Sequence, residues 1–448
     1  MPSTTYVKYK KYHEAETYLQ SIGNMSNVNF FEGTSNPEHH FARAKYLLKL
    51  AGNPDKGLKI IHVAGTSGKG SVVNYIYNIL QKAGYRVGAH FSPFISVSTE
   101  KAQINNRHIS EKDFIELVEQ IKPIMQKCHE TFDPPPHRFG GASTPSYFEC
   151  WLLIALLYFK KQKCDYVVLE TGCGGRYDAT NAVAKTLVSV ITNIGLDHTH
   201  ILGNTISQIA YEKAGIIRRR GKVFTAAQKP AALKVIQDTC DKLFADLTIV
   251  VNSKKTKNQE NNKTNQLLAA EVAEHLGISY NIIELGIKQA RPLPARFEIV
   301  KKNPLIILDG AHNPDKIAYL AQKIKKTKKQ KNKLHLICAL GQHKKPKDCF
   351  KELIKQTDYL YTTRSLLAFR KFIDPIVIAK ELKSIKQIPI QTFLDPQQAL
   401  EAALKKAGKN DLILITGSFF LCSDLRKNWI SEEKQLEQRT NFPVATKY

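Results

Sequence analysis

A glycine-rich segment with one lysine is the clearest chemical feature of this sequence. Its residues are Gly65, Thr66, Ser67, Gly68, Lys69, Gly70 and Ser71. The apolar run Leu58–Ala64 precedes it, and a helical pattern follows it. Glycines let a backbone wrap around phosphate oxygens, and the N–H groups that begin a helix point at the anion. The order strand, glycine turn, lysine and helix therefore predicts a nucleotide-phosphate site rather than an incidental surface turn.

Three polar residues stand where later strands of the same region are expected to end. Glu170 closes the apolar run that begins at Asp165, Ser92 follows the run Tyr85–Phe91, and His198 lies shortly after another apolar run. Open α/β sheets bind ligands at the carboxyl ends of their strands. Taken singly, each residue is more typical of a helix cap, a strand-end charge or a core histidine. Only the combination of the three residues indicates a ligand site.

Strands and helices alternate along the chain, and this pattern must position the candidate residues. Alternation from Leu58 to Leu276 predicts an α/β fold with a mostly parallel sheet covered on both faces. Gly286–Pro294 contains residues that break both element types, so we expect a linker there. The alternation then restarts and predicts a second, smaller α/β domain. We therefore expect two domains, residues 1–290 and 291–448.

Composition favours a globular protein of a reducing compartment. The chain is 43% hydrophobic and 24% charged, and no apolar run reaches the length of about 18 residues that a membrane span needs. Met1–Lys11 lacks the apolar core of a signal peptide, and the run Trp151–Phe159 is short enough to be a buried helix. The eight cysteines are scattered and form no CxxC pair, which indicates reduced thiols. We expect a cytoplasmic monomer with no membrane partner.

The formal charge of +26 requires an explanation. Lysines are spread along the chain, and the densest cluster, residues 323–333, has the pattern of a helix end followed by a solvated loop. No zinc-finger or RNA-recognition signature accompanies it. The sequence favours a lysine-rich cytoplasm or attraction of anionic small molecules over binding of nucleic acid.

The segment His62–Ser71 resembles the phosphate loop of the Mur ligase superfamily, and most of all that of its folylpolyglutamate synthase and dihydrofolate synthase branch. Ser67 stands where the family usually has asparagine. Further segments that resemble the family follow in the same order: Ser92–Ile95, Leu169–Asn181, Leu196–His198, Glu212–Ile216, Leu293–Glu298 and Leu308–Pro314. The resemblance extends from about residue 58 to residue 418.

The resemblance implies a P-loop domain with a mostly parallel sheet, followed by a smaller Rossmann-like domain. It implies that Mg²⁺ is bound by Ser92, Glu170 and His198, in keeping with the preference of that ion for oxygen ligands. It also implies a carbamylated Lys213 near the metal. The nucleotide is then bound by the phosphate loop and by the following residues: Asn265, Arg296, Asp309 on the ribose side and His312 on the phosphate side. Lys69, Lys213, Arg296 and His312 are the implied catalytic residues.

The family acts on a pterin acid, and Ser146 and Asp178 match positions at its substrate end. Three departures are visible here: Ser146 stands where threonine is common, Lys101 replaces an arginine, and residues 33–40 differ from the helix start that the family usually has at its substrate end. The implied activity is an ATP-dependent ligase that adds L-glutamate to a folate or dihydropteroate carboxylate through an acyl phosphate, with the two domains closing over ATP.

Two alternatives remain open at this point. One is a Mur-type amide ligase acting on a different carboxylate and amino acid. The other is a non-catalytic protein that binds nucleotides or nucleic acid. The combination of Lys69, Glu170, His198 and His312 argues against the second alternative, because a protein without the reaction would be expected to lose some of them.

Overall fold

The computed structural model describes residues 8–25, 36–132, 143–250, 261–329, 331–366 and 371–444. By packing, the chain divides into two compact units, one of Met1–Phe94 with Ser98–Arg291 and one of Ile95–Val97 with Pro292–Tyr448. The division at residues 290 and 291 made from the sequence stays a prediction. Sequence reasoning did not foresee that three residues from the loop after the second strand belong to the second unit.

The first unit is built on a sheet with the strand order β4-β3-β2-β5-β1-β6-β7-β8 among the described residues. Its strands are β1 (Lys59–Ala64), β2 (Val87–His90), β3 (Ala102–Ile104), β4 (Arg107–His108), β5 (Tyr166–Glu170), β6 (Val188–Ile191), β7 (Lys222–Thr225) and β8 (Asp246–Ile249). The six neighbouring strands β2, β5, β1, β6, β7 and β8 are parallel. The strand β3 pairs antiparallel with both β2 and β4. The central strands are buried on both faces, which explains their continuous apolar runs.

The helices of the first unit connect these strands. They are α1 (Lys10–Met25), α2 (Pro37–Leu50), α3 (Lys69–Lys82), α4 (Glu111–Thr131), α5 (Tyr147–Lys161), α6 (Thr199–Leu202), α7 (Ile206–Ala214), α8 (Pro230–Leu243), α9 (Asn261–His275) and α10 (Tyr280–Gln289). Short 3₁₀ turns cover Ser98–Lys101 and Ala179–Ala182. As predicted, the apolar run after Cys150 is a buried helix, α5.

The second unit has a sheet with the order β13-β12-β11-β14-β10-β9 in its described part. Its strands are β9 (Glu298–Lys302), β10 (Leu305–Asp309), β11 (Leu334–Cys338), β12 (Tyr359–Thr362), β13 (Ile390–Thr392) and β14 (Leu412–Thr416). Only β9 runs antiparallel to its neighbour. Its helices are α11 (Pro314–Thr327), α12 (Pro346–Ile354), α13 (Pro375–Lys383), α14 (Pro396–Lys406), α15 (Phe419–Arg426) and α16 (Glu432–Gln438). The predicted α/β class with a second, smaller α/β unit is confirmed.

The predicted linker is wrong at its beginning. Residues 286–289 are the last turn of α10 rather than an irregular connection. Gly286 is needed there for close packing, because a Cβ atom at this position would lie 2.5 Å from the Cα of Ile79 on α3. A glycine that permits two helices to approach was therefore misread as a helix breaker.

The eight cysteines are all buried, and none forms a disulfide, as the sequence analysis expected. No helix in the described ranges combines the length and the apolar character that crossing a bilayer would require.

Candidate active site

The phosphate loop connects β1 to α3, and its two outer glycines have backbone angles that other residues rarely adopt. Gly65 has a φ of 147°, and a Cβ atom there would lie 1.8 Å from the Oγ1 of Thr192. Gly68 has a φ of 92° and directly precedes the first residue of α3. The loop thus turns sharply at both ends and presents the free N–H groups of the start of α3.

The segment after β6 holds this loop in place. Thr66 donates its backbone N–H to the carbonyl of Asn193 over 2.9 Å, and its hydroxyl exchanges two hydrogen bonds of 3.1 Å with the backbone of Gly195. The hydroxyl of Thr192 donates to the carbonyl of Ser67 over 2.8 Å. Sequence reasoning missed this support, because nothing in the local sequence identifies which strand neighbours the loop.

Lys69 and Asn265 lie against the same loop. The Nζ atom of Lys69 donates to the carbonyl of Gly65 over 3.1 Å, so the ammonium folds back across the turn. Asn265 comes from α9, and its side-chain oxygen would be 2.5 Å from a Cβ atom at Gly68. The arrangement therefore brings together a lysine and an amide that the sequence placed almost 200 residues apart.

Glu170 and Ser92 meet at the carboxyl ends of neighbouring strands. The backbone N–H of Ser92 donates to Oε2 of Glu170 over 3.1 Å. Val63 of β1 pairs with Glu170 of β5, so the carboxylate stands one strand from the start of the phosphate loop. Glu170 is buried, with a relative exposure of 4%.

His198 and Lys213 belong to the segments that follow β6. His198 has a φ of 50° and precedes the short helix α6, and the carboxylate of Asp197 accepts its backbone N–H over 3.0 Å. Lys213 is in the last turn of α7 and is buried, with an exposure of 4%. Burial raises the pKa of Cys173 to about 12, while the nearby ammonium groups of Lys213 and Lys69 act in the opposite direction. Both lysines therefore lie within electrostatic range of one buried thiol in the glycine-rich loop after β5.

The donor types fit a hard divalent ion better than a soft one. Within the ranges that the structure covers, no group of three or more histidine, cysteine, aspartate and glutamate side chains forms a ready metal cluster. The predicted set contains only Glu170 and His198 from those types, with the hydroxyl of Ser92 as its third member. Such a sparse set suits Mg²⁺, which retains several waters and shares its remaining ligands with phosphate.

Asp178 organises the loop that follows β5. Its carboxylate accepts the backbone N–H of Cys173 over 2.9 Å and that of Thr180 over 3.0 Å, and it also accepts the Thr180 hydroxyl. Burial raises the pKa of Asp178 above its ordinary value, and these hydrogen bonds counteract that shift. Asp178 and Phe148 flank Gly172, where a Cβ atom would lie 2.8 Å from the Phe148 ring and 3.2 Å from Oδ2 of Asp178.

Ser146 begins α5 as a helix cap. Its hydroxyl accepts the N–H of Glu149 over 3.3 Å, and the Glu149 carboxylate accepts the N–H of Ser146 in return. Glu149 also forms a buried ion pair with Arg43 of α2, with 2.7 Å between Nη2 and Oε2. Sequence reasoning missed this pair, since the partners are 106 residues apart.

Lys101, the residue that replaces an arginine, is enclosed by aromatic rings. Its ammonium lies 5.5 Å from the ring centre of Tyr147 and 5.7 Å from that of Phe148. Burial lowers its pKa to about 8, although Glu16 and Glu170 favour its charged form. We call the rings of Tyr147 and Phe148 around Lys101 the aromatic enclosure. Through Phe148 it adjoins Gly172 and Asp178, in the loop that follows Glu170.

In the second unit, Arg296 and Asp309 are fixed by neighbouring groups at the end of β10. The guanidinium of Arg296 lies 3.8 Å from the ring centre of Phe419, a cation–π contact that sequence reasoning missed. The carboxylate of Asp309 accepts the N–H groups of Phe297 and Ala311, each over 2.9 Å. Burial raises the pKa of Asp309, and the charge of Arg296 is among the influences that lower it.

His312 follows the same strand, and its tautomer can be read from its partners. Its Nδ1 lies 2.7 Å from the carbonyl oxygen of Gly310, which can only accept a hydrogen bond. Nδ1 therefore carries a proton, and Nε2 faces the ammonium of Lys316 at 3.3 Å. Asn313 then caps α11 by accepting the N–H of Lys316. Nε2 of His312 and Nζ of Lys316 therefore lie next to each other at the start of α11.

Two family models match this chain in sequence order. The Mur ligase middle domain matches residues 63–288, and the Mur ligase, glutamate ligase domain matches residues 295–419. Fold and site thus define a Mur-type ligase. A dihydrofolate synthase/folylpolyglutamate synthase of Bacillus subtilis is 34% identical over 86% of this chain and 94% of its own length. The chain belongs to the dihydrofolate synthase/folylpolyglutamate synthase family of ATP-dependent ligases, as the sequence analysis predicted.

Solved structures of this family share its fold. The Escherichia coli FolC protein in complex with DHPP and ADP has a TM-score of 0.74 and 26% identity, with coverage of 92% of this chain and 97% of that one. A bifunctional folylpolyglutamate synthase/dihydrofolate synthase of Yersinia pestis, complexed with AMPPNP and a manganese ion, has a TM-score of 0.71 and 27% identity. The match covers 87% of this chain and 93% of the Yersinia pestis chain. These relatives bind an adenine nucleotide, and one of them binds a divalent metal.

Proposed function

We propose that this protein uses ATP to join L-glutamate to the carboxylate of a folate or of dihydropteroate. The observation that carries the proposal is the assembly at one sheet edge of the phosphate loop, the buried Glu170 and the loop organised by Asp178, in a chain of this family. A phosphate site beside a buried carboxylate and an aromatic enclosure is what a ligase that phosphorylates a ring-bearing acid requires.

The phosphate loop is proposed to hold the triphosphate of ATP. The N–H groups at the start of α3 and the ammonium of Lys69 would bind its oxygens, with Asn265 beside the turn. Mg²⁺ would be held by Ser92, Glu170 and His198, where it would neutralise phosphate charge. A carbamylated Lys213 would turn a buried cation into an oxygen donor for the metal.

The proposed reaction has two steps. The acid's carboxylate oxygen attacks the γ-phosphorus, and the bond between that phosphorus and the β-γ bridging oxygen breaks. ADP departs with the bond electrons, and the acid is left as an acyl phosphate. The uncharged amine of glutamate then attacks the acyl carbon, and inorganic phosphate leaves with the bond electrons while the amine loses its proton. Arg296 and His312 are proposed to bind phosphate oxygens and Asp309 the ribose, because guanidinium and imidazole donors stabilise developing phosphoryl charge.

Ser146 and Asp178 are proposed to lie at the pterin end of the substrate. The side chains of both residues already make local hydrogen bonds, so their role there would be to shape the loop and the start of α5 around the ring. Phe148 and the enclosed Lys101 supply an aromatic face and a cation beside that loop. The eight reduced, buried thiols support a cytoplasmic location, and the monomeric state stays a prediction.

The test is phosphate release by the purified full-length chain with ATP, Mg²⁺ and L-glutamate. Dihydropteroate, tetrahydrofolate and no acid form the three arms, and the first two should stimulate release while the third should not. Stimulation only by a different carboxylate would instead favour a related Mur-type ligase. Lys69→Ala should abolish the stimulated rate. Lys82→Ala, an exposed lysine at the other end of α3, is the matched control and should leave the rate unchanged.

A further inference from the structure

One fully buried histidine lies in a central strand of the first sheet, three residues before the phosphate loop. His62 belongs to β1, which is flanked by β5 and β6. Its neighbours Ile60, Ile61 and Val63 are aliphatic, as expected of a strand that is covered on both faces. An imidazole in this place loses hydration that an aliphatic side chain would not have, so it requires a polar partner.

The partner of His62 is the hydroxyl of Thr180. Nε2 of His62 lies 2.7 Å from Oγ1 of Thr180, although the two residues are 118 positions apart. Thr180 is also fully buried, and it belongs to the 3₁₀ turn Ala179–Ala182. Its hydroxyl donates to Oδ1 of Asp178, the residue that organises the loop after β5. The side chains of His62, Thr180 and Asp178 thus form a continuous line of hydrogen bonds, which we call the His62 relay.

The direction of these hydrogen bonds follows from the chemistry of the three groups. Both carboxylate oxygens of Asp178 accept backbone N–H groups, Oδ1 from Thr180 and Oδ2 from Cys173, as an ionised carboxylate does. A hydroxyl has a single proton, and that of Thr180 is donated to Asp178. Oγ1 can therefore only accept from His62, so Nε2 of the imidazole carries the proton. Burial and the charge of Arg218 lower the pKa of His62 to about 3, which keeps the ring neutral.

A second group holds the same turn from its other end. Nη2 of Arg218 donates to the carbonyl oxygens of Asn181 and Val183, each over 3.0 Å. The side-chain amide of Asn181 donates to the carbonyl of Arg176 over 3.0 Å. The turn that carries Thr180 cannot shift without breaking several of these hydrogen bonds. The Thr180 hydroxyl therefore has a fixed place between the imidazole and the carboxylate.

The His62 relay fixes how Asp178 faces the aromatic enclosure. Oδ1 receives two donors from Thr180, its N–H and its hydroxyl, and together they set the rotation of the carboxylate. Oδ2 and the Phe148 ring both border Gly172, where a Cβ atom would lie 3.2 Å from the oxygen and 2.8 Å from the ring. A carboxylate oxygen is thereby held close to an aromatic face. Sites for planar ligands combine such faces with a few polar groups that fix the orientation of the ligand.

We propose that His62 and Thr180 are positioning residues for the acid substrate and that they act through the Asp178 carboxylate. The inference rests on the proposed ligase function and deepens it, because it assigns to the His62 relay the affinity for the ring of the acid. An acceptor that is already oriented binds a donor more tightly than a mobile one, since less conformational freedom is lost on binding. The nucleotide should be bound independently of the relay.

The first test compares Thr180→Val with Thr180→Ser in the steady-state kinetics of the full-length chain. Valine has the shape of threonine without the hydroxyl and breaks the relay, whereas serine retains the hydroxyl. Thr180→Val should raise KM for dihydropteroate or tetrahydrofolate about tenfold, as expected for a lost hydrogen bond to a charged group, and leave KM for ATP within about twofold. Thr180→Ser should retain most of the affinity for the acid. Parallel changes in both KM values, or equal losses in the two variants, would overturn the proposal.

A second pair of variants tests the histidine. The side-chain amide of glutamine can donate in place of the imidazole, so His62→Gln should keep KM for the acid within about threefold of the wild-type value. His62→Leu has no donor and should raise this KM about tenfold. The losses in His62→Leu and Thr180→Val should not add when the two are combined, because both break the same line of hydrogen bonds. Full additivity would show that the two residues act separately and would contradict the relay.

The tautomer of His62 gives a check that does not depend on activity. Long-range ¹H–¹⁵N spectra of protein with labelled histidine should show this ring with its proton on Nε2, and the signal is assigned by its loss in His62→Gln. A proton on Nδ1 would overturn the relay whatever the kinetics. Failure of every acid to stimulate the wild type would overturn the proposed function and the substrate role of the relay together. A stimulated wild type with an unchanged KM for the acid in Thr180→Val would overturn the positioning role alone.

Discussion

The buried ion pair between Arg43 and Glu149 offers a sharp test of the packing beside the candidate site. Both side chains are almost fully buried, with exposures of 1% and 3%. Nε of Arg43 makes further bonds of 3.1 and 3.2 Å to the two carboxylate oxygens. Removing one partner leaves an uncompensated buried charge, which costs about 3–5 kcal/mol. For a unit of this size, a loss of this magnitude should lower the midpoint of thermal unfolding by on the order of 10 °C.

The proposed perturbations are Arg43→Met and Glu149→Gln. Glutamine preserves the capping geometry with Ser146, so Glu149→Gln removes the charge while keeping the helix start. Thermal unfolding can be followed by the fluorescence of Trp151, which is buried in α5 and stacked 5.0 Å from Phe114. A Trp429→Phe background removes the signal of the second unit.

The pH dependence gives an independent check with a defined sign. Burial alone would raise the pKa of Glu149, but the attraction of Arg43 and the hydrogen bonds hold it below its usual range. A carboxyl whose folded pKa is depressed contributes stability above its unfolded pKa of about 4.3, and this contribution is lost as pH falls through the folded pKa. The difference between wild type and Arg43→Met should thus be widest near neutral pH and narrow below about pH 4.3.

Two results would refute this reasoning. One is a cost below about 1 kcal/mol for each single substitution, which would mean that water or rearrangement compensates the remaining charge. The other is a double variant, Arg43→Met with Glu149→Gln, whose cost equals the sum of the two single costs. The pair should instead couple by 1 kcal/mol or more, because the double variant leaves no charge unpaired.

The remaining predictions concern individual site residues. Gly65→Ala should lower kcat/KM for ATP at least about a hundredfold, because a Cβ atom there would clash with Thr192. Gly84 also has a positive φ but has open space around it, so Gly84→Ala should cost only backbone strain. Equal losses of kcat/KM in the two variants would contradict the role of close packing at Gly65. Asp178→Asn should lower the free energy of unfolding by about 1–3 kcal/mol in urea titrations, since an amide satisfies fewer of the N–H groups that the carboxylate accepts. Phe419→Leu should lower kcat/KM roughly fivefold by removing a cation–π contact of about 1 kcal/mol, and Arg296→Lys should cost more. Unchanged kinetics in both variants would argue against a catalytic position for Arg296.

Local sequence determined the elements of this fold where a single physical rule dominates. The run Leu58–Ala64 is apolar because β1 is covered on both faces, and the glycines that follow it are required by their backbone angles. The same reasoning located the strand ends that carry Glu170 and Asp309. The same reasoning failed at Gly286, which was interpreted as part of a linker. The glycine is explained instead by the close packing of two helices. Sequence cannot distinguish these two uses, because the neighbouring helix is 200 residues away.

What the sequence alone determined was therefore the chemistry of the residues: a phosphate loop, oxygen donors at strand ends and the resemblance to one ligase family. Tertiary structure decided which groups meet. Thr192 supports the loop, Phe419 orients Arg296, and Arg43 neutralises Glu149. Sheet order and helix packing bring distant segments together, and neither is encoded in the spacing of neighbouring residues.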